Sequence, residues 1–420
     1  QYDQLVVSGA VNLGGANGAT LTPTIGVGYD PATYFRFTII NQTGGGVVAG
    51  TFEAHPELSI YEVSGERLRV SYVETIAPYG NGNDVSLTVL PPPIVVTYSV
   101  NGALKIEGID LVDDITIDFS NTNSVTLIGN DFSNFSGSGT NGQVAGPYNV
   151  TGAITVNTYA LNDKILLRGL TASAKLDSGD ITINLGTGDD ILTTVDATLP
   201  TLGLTMTGNL SVLGGAGNDS IRLGSNVAGD TFTALNVSLD NGAGAGAQSI
   251  DLDRFTANGN VTLANGGAGA QTMSLGQNAS NAPNSVAGNL TITQAATATS
   301  YTVGIRNTSV GGFVSITNGS GTGAAAVTID TTTAQIIGGT TSVTNGNNVT
   351  NAVTLVGTTG GLQSLGNVTI KNGIATTSNL ITVTALGSSG TSSSNFTNGA
   401  SLANSIVFNG TTGNAFTGNV

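Results

Sequence analysis

Gly208-Asn209-Leu210-Ser211-Val212, Gly259-Asn260-Val261-Thr262-Leu263, Gly288-Asn289-Leu290-Thr291-Ile292 and Gly366-Asn367-Val368-Thr369-Ile370 are one phrase written four times. Working outward from these copies, the Asn-type position is filled by Ala153, Asp180, Asn209, Asn236, Asn260, Asn289, Phe313, Thr340, Asn367 and Asn404. The steps run from 24 to 29 residues until a last step of 37, which holds a Ser-rich stretch near Ser388–Ser394. A hydroxyl column follows two residues on (Thr155, Thr182, Ser211, Ser238, Thr262, Thr291, Ser315, Ser342, Thr369) and is broken by Ile406. Apolar columns flank it: Ile154 to Val368 on one side, Val156 to Ile370 on the other. Alternation at period two describes a strand with one buried face. Its recurrence at near-constant spacing describes stacked coils.

Two further apolar elements complete each period. Ile221/Leu223, Ile250/Leu252, Met273/Leu275, Val327/Ile329, Val353/Leu355 and Ile381/Val383 predict a second strand, and Phe255, Val286, Val310 and Ile336 a shorter third one. Asn241-Gly242, Asn265-Gly266, Asn318-Gly319, Asn345-Gly346 and Asn372-Gly373 end the first strand with residues that tolerate left-handed backbone angles, as a sharp corner requires. The expected fold is all-β: a parallel β-helix (β-solenoid) with coils of about 27 residues behind a small N-terminal β module. Residues 1–93 are assigned to the module and 94–420 to about ten to twelve coils. Crossover handedness favours right-handed coiling. The ladder asparagines Asn209, Asn236, Asn260, Asn289, Asn367 and Asn404 are expected to bond along the axis, as stacked amides do.

Composition narrows the function. Cysteine is absent, which excludes disulfides and thiol chemistry. Long apolar stretches are absent too, so no membrane-spanning helix is expected. The net charge of −15 is uneven: residues 256–420 hold one acid, Asp330, and two bases, Arg306 and Lys371. Nucleic acid is an unsuited partner, because nothing here neutralises a row of phosphates. A nearly uncharged Thr/Ser/Asn surface suits packing against another chain, or adhesion. The chain begins at Gln1 rather than Met, which fits a processed or excised segment.

Residues 34–52 (YFRFTIINQTGGGVVAGTF), then 68–72 (LRVSY) and 80–90 (GNGNDVSLTVL), read as strands and a glycine turn before the stiff Pro91-Pro92-Pro93 exit. This run resembles the closing segment of autotransporter-type β-solenoid repeats in bacterial surface proteins, and is similar in style to planctomycete-like exported proteins. The resemblance implies a secreted or cell-surface bacterial chain. In that family the segment ends a solenoid, whereas here it precedes one. The expectation is that coils from a cleaved upstream part or a neighbouring subunit stack on it. The chain stops at Val420 with no charged or helical cap, and an open solenoid end invites another chain. Head-to-tail homopolymerisation into a surface fibre, sheath or layer is therefore expected. The alternative is a monomeric adhesin that binds glycans or surfaces.

The expected chemistry is sparse. Asp163, Asp190 and Asp219 fall ten residues past the ladder position in successive coils. Stacked about 4.8 Å apart, neighbours would repel by roughly 1 kcal/mol in water and about 3.5 kcal/mol at an effective dielectric of 20. A bound cation would remove that cost, and calcium accepts such oxygen ligands, which makes these three aspartates a candidate calcium site. Gly214–Arg222 (GGAGNDSIR) resembles the RTX calcium nonapeptide, although the nine-residue repetition of that family is missing. The competing expectation is solvated Asp and Asn closing local turns. His55 reads as a loop residue, and no nucleophile elbow surrounds a serine, so no enzyme is expected. Paired Thr-x-Thr sequences form no regular column, which speaks against ice binding. The Asn-x-Ser/Thr sequons are largely the repeat phrase itself.

Overall fold

A computed structural model describes residues 3–14, 18–26, 31–33, 35–44, 46–53, 55–63, 66–74, 84–130, 133–138, 140–171, 174–177, 179–195, 203–224, 231–276, 283–294, 297–330, 335–356, 362–364, 366–384, 386–388, 394–409 and 415–416. Within the motif quoted above, Tyr34, Gly45 and residues 80–83 lie outside these, as do residues 389–393 of the Ser-rich stretch. Every described element is a strand, and no helix is long and apolar enough to cross a membrane. The chain forms two compact units, Gln1–Pro93 and Ile94–Val420.

The first unit is a five-stranded sheet in the order β1, β3, β7, β6, β5. Here β1 is Leu5–Val7, β3 Arg36–Gln42, β5 Ile60–Val63, β6 Glu66–Glu74 and β7 Asp84–Leu90. β1 joins β3 in parallel, and the other pairs are antiparallel. The glycine turn after β3 does not close a hairpin. The next strand, β4 (Val48–Ala49), pairs instead with β2 (Val11–Asn12). Leu68, Val70, Val85, Leu87 and Val89 form the centre of a core that Phe52, Tyr61 and Tyr72 close.

The second unit is a parallel β-solenoid whose described residues form three walls of 14, 13 and 10 strands. The alternation that predicts the first wall is observed in register. Ile154 pairs with Ile181, Ile181 with Leu210, Leu210 with Val237, and the column continues to Val368. The hydroxyl column from Thr155 to Thr369 points away from the core. The second wall aligns Ile221, Ile250, Met273, Val303, Val327, Val353 and Ile381, each at most 1% exposed. The third wall has strands of two or three residues, with Phe232 stacked on Phe255 at 6.2 Å. There the register aligns Val310 with Ile337, one residue beyond the expected Ile336. Each fully buried Val, Leu or Ile contributes roughly 1.5–3 kcal/mol, so stacked apolar columns stabilise the fold without cross-links.

The solenoid does not begin with bare coils. Asp114–Asn121 pairs in parallel with Lys164–Gly169 on one side and antiparallel with Ser124–Gly129 on the other, which in turn pairs antiparallel with Val144–Asn149. Ile94–Tyr98 covers Leu104–Glu107 in the same manner on the first wall. These antiparallel strands satisfy edge groups that would otherwise be unpaired.

Candidate functional site: a buried polar corner

The corner between the first and second walls is polar along most of its described length, broken by Leu185 and by the Tyr301/Ala325 pair. On the second-wall side, the register places Asp113, Asp163, Asp190 and Asp219 in one line, continued by Gln248, Gln271, Tyr301, Ala325, Asn351 and Asn379. The first-wall strands end in a facing line of Gly108, Thr158, Leu185, Gly214, Asn241, Asn265, Gln294, Asn318, Asn345, Asn372 and Asn398. A chain turning between walls leaves backbone N–H and C=O groups without ladder partners. Side chains here supply them.

The four aspartates are at most 1% exposed, which corrects the expectation of solvated turn residues. The backbone N–H of Asp113 donates to Asp163 Oδ1 (2.8 Å), that of Asp163 to Asp190 Oδ1 (2.7 Å), and that of Asp190 to Asp219 Oδ1 (3.0 Å). Asp113 Oδ2 accepts the N–H of Ile109 at 3.0 Å. The second oxygen of each (Asp113 Oδ1, and Oδ2 of Asp163, Asp190 and Asp219) is buried without a hydrogen-bond partner. Burial pushes all four carboxyls up: Asp163 to about 8, helped by the charges of Asp113 and Asp190, Asp113 to about 7, and Asp190 and Asp219 to about 6. Thus the three predicted carboxylates do share one column, with Asp113 as an unpredicted fourth member. Among the described residues, however, no group of three or more His, Asp or Glu side chains is placed to hold a metal ion. The RTX-like segment is the corner itself: Gly215 and Gly217 have φ of +104° and +156°, and the Asn218 N–H donates to Asp189 Oδ1 at 2.9 Å.

No family model, curated protein or solved structure matches this chain.

Farther along, the corner carries an amide ladder. Asn318 Nδ2 donates to Asn345 Oδ1 (2.7 Å), Asn345 Nδ2 to Asn372 Oδ1 (2.8 Å), and Asn372 Nδ2 to Asn398 Oδ1 (2.8 Å). These are the asparagines of the Asn-Gly pairs. The asparagines of the repeat phrase form a separate, outer ladder at the opposite end of the first-wall strands. Asn236 Nδ2 donates to Asn209 Oδ1 (2.8 Å), the Asn260 N–H to Asn236 Oδ1 (2.7 Å), and the Asn289 N–H to Asn260 Oδ1 (2.9 Å). Phe313 and Thr340 interrupt it, so Asn367 holds the position but its Oδ1 is buried without a partner.

Asn404 is not on that ladder. It pairs with Asn379 in the second wall, on the line that the aspartates begin. The first wall continues from Thr369 to Asn395 instead. Ile406 accordingly belongs with Ile381, not with the hydroxyl column it seemed from sequence to break.

On the second wall, cations meet acids one coil away. Arg168 reaches Asp118 through two bonds, Nε to Oδ1 at 2.6 Å and Nη2 to Oδ2 at 2.7 Å, and Lys164 reaches Asp114 at 3.5 Å. Arg222 and Arg306 stand 3.5 Å from Asp251 and 3.7 Å from Asp330. Glu107 accepts from Lys105 (2.7 Å), Asn157 (2.9 Å) and Tyr159. Burial acts to raise its pKa, but these donors outweigh it and hold the carboxyl below its ordinary value. His55 stacks on Tyr61 at 3.7 Å, and its carbonyl accepts the Tyr72 hydroxyl at 2.6 Å, which fits a loop anchored to the core of the first unit.

Proposed function

We propose that this chain is an extracellular structural protein, a subunit of a self-assembling cell-surface fibre, sheath or layer built by head-to-tail contacts between solenoid coils. The observation that carries the reading is where the polar side chains go. Asp, Asn and Gln turn inward and bond from coil to coil along the axis, and the ion pairs of the second wall also join adjacent coils. The first wall presents Ser and Thr outward. Chemistry of this kind holds coils in register.

The same geometry supports the self-assembly reading. The stacked coils pair in parallel and in register, so a second copy that stacks in the same way extends their hydrogen bonds and apolar columns, and at the N-terminal end of the solenoid it does so by displacing the antiparallel strands there. A heterologous contact of that kind does not close and yields a filament. Secretion to a bacterial cell surface goes with this reading and rests on composition and the resemblance alone.

Electron microscopy of the purified chain over a concentration series tests it. Filaments with an axial repeat of one subunit length are the expected result. Isolated rods at every concentration would overturn it, and glycan binding by those rods would put the adhesin reading in its place.

A further inference from the structure

The polar corner changes chemistry without changing shape. Gln248 follows Asp219 in register and Gln271 follows Gln248. Gln248 uses both ends of its amide: Nε2 donates to the carbonyls of Gly217 (3.0 Å) and Asn241 (3.1 Å), and Oε1 accepts the Gly267 N–H at 3.0 Å. At the same position in later coils, Asn351 Nδ2 donates to Asn379 Oδ1 at 3.0 Å. An amide is neutral and has a donor end and an acceptor end. An ionised carboxylate only accepts, whereas a protonated carboxyl does both.

The aspartates occupy the amide position with half of that pattern filled. One oxygen of each accepts a backbone N–H, and the other is buried without a partner. At Asp219 the unpartnered Oδ2 is packed against the backbone of Gly214, where there is no room for a side chain. A Cβ placed on Gly214 would stand 2.6 Å from Asp219 Oδ2 and 2.8 Å from the Asn241 carbonyl oxygen.

Among the described residues no cationic side chain faces the aspartates across the corner, although the Thr158 hydroxyl adjoins Asp163 and favours its ionised form. Across it stand Gly108, Thr158, Leu185, Gly214 and Asn241, none of which titrates. In the adjoining turns lie Asp110 and Asp189, both acidic. The neighbouring cation, Lys164, is exposed and directed to Asp114. Four like charges at the coil spacing of about 4.8 Å in a buried site oppose one another's ionisation.

We infer that Asp113, Asp163, Asp190 and Asp219 form one proton-binding column, neutral when the coils around them are locked, whose deprotonation loosens those coils. Each step is simple: an O–H bond of a buried carboxyl breaks, the proton passes to bulk water, and the carboxylate keeps the electron pair. The column is a pH-operated latch at the acidic end of the solenoid, while the line that continues it from Gln248 to Asn379 carries no carboxyl. The raised acidities of all four carboxyls agree with this direction.

Infrared difference spectroscopy and carboxyl carbon NMR on the full chain test the assignment, beside D163N and D190N. The wild type is expected to keep protonated-carboxyl signal at pH 6 and to lose it stepwise by about pH 8. Each variant is expected to lose one step, and amide exchange in residues 154–223 is expected to rise over the same range beyond its intrinsic pH dependence. Full ionisation of all four at pH 6 would overturn the proposal. So would a protonated signal that appears only after calcium is chelated, together with calcium binding by calorimetry, since the column would then belong to a cation. Should the variants not fold, the wild-type titration alone decides between these outcomes.

Discussion

Asp190 Oδ1 accepts the backbone N–H of Asp163 at 2.7 Å while Asp190 Oδ2, equally buried, has no partner. One side chain thus holds two coils together and carries an unsatisfied atom. The two halves of the carboxyl predict different mutant behaviour. Asp190→Ala removes the acceptor and strands a buried N–H, which costs about 1–3 kcal/mol at any pH. Asp190→Asn keeps the acceptor and supplies a donor, so it is expected to fold with near wild-type stability. Denaturant melts of both variants at pH 5 check this. Equal destabilisation by Ala and Asn would count against the hydrogen-bond assignment.

The pH dependence has a definite sign. The four carboxyls are more basic in the folded chain than the ordinary value of 3.8. The folded state therefore binds more protons than the unfolded state above that value, and stability falls as pH rises. The contribution is full below about pH 4, declines through about 6 to 8, and is gone above. Glu107 acts oppositely, because its folded acidity is strengthened, and its contribution is lost only as pH drops below 4.5. Thermal melts from pH 4 to 9 are expected to show a declining midpoint over most of the range, with a shallower decline in Asp163→Asn.

Much of this was legible in the sequence, and the failures have physical reasons. Period-two alternation fixed the first wall from Ile154 to Val368, because one face of that strand is always core. Asp163, Asp190 and Asp219 announced their column by their spacing. Asp113 did not, since the antiparallel strands between residues 124 and 149 stretch its separation from Asp163 to 50 residues. Spacing also cannot say which way a side chain points. Burial, and hence the shifted acidity, came only from the corner geometry. Asn404 was misplaced because Asn404-Ser405-Ile406-Val407 imitates the first-wall phrase in a second-wall strand. The broken hydroxyl column at Ile406 was the warning.

The two asparagine ladders should differ in weight. Asn345 is 2% exposed and bonded on both sides by amides, so Asn345→Ala leaves a buried donor and a buried acceptor unmet and is expected to cost about 2–4 kcal/mol. Asn260 sits on the exposed outer ladder, and Asn260→Ala is expected to cost about 0.5–1.5 kcal/mol. Paired urea melts, with attention to the midpoint at constant slope, distinguish the two.

Arg168 and Asp118 form a bidentate pair whose side chains are 11% and 4% exposed. Removing the cation leaves a buried carboxylate, so Arg168→Ala is expected to destabilise by about 3–5 kcal/mol, whereas the double variant with Asp118→Asn recovers part of the loss. Arg168→Lys cannot reproduce the fork and should fall between. A double-mutant cycle on the melting free energies measures the coupling, and additivity of the two single changes would remove the pair from the account.

Gly215 tests whether the corner is as tight as the register requires. Its φ of +104° lies outside the range that L side chains adopt easily, and a Cβ there would stand 1.8 Å from the carbonyl oxygen of Gly186 in the preceding coil. Backbone atoms on both sides are held by the ladder, so the clash cannot be relieved by a rotamer. Gly215→Ala is therefore expected to destabilise by more than the roughly 1–3 kcal/mol of an unfavourable backbone angle alone. Gly44, whose φ is not in that region, would meet the carbonyl of Ser8 at 2.2 Å in the first unit, and Gly44→Ala serves as a control for a clash without the angle. Hydrogen exchange locates the damage: faster exchange confined to residues 181–223 for Gly215→Ala, and to the first unit for Gly44→Ala. If Gly215→Ala instead melts like the wild type, coils at this corner can separate without penalty, and the tight axial stacking from Tyr159 through Gly186 and Gly215 to Gly242 would have to be abandoned.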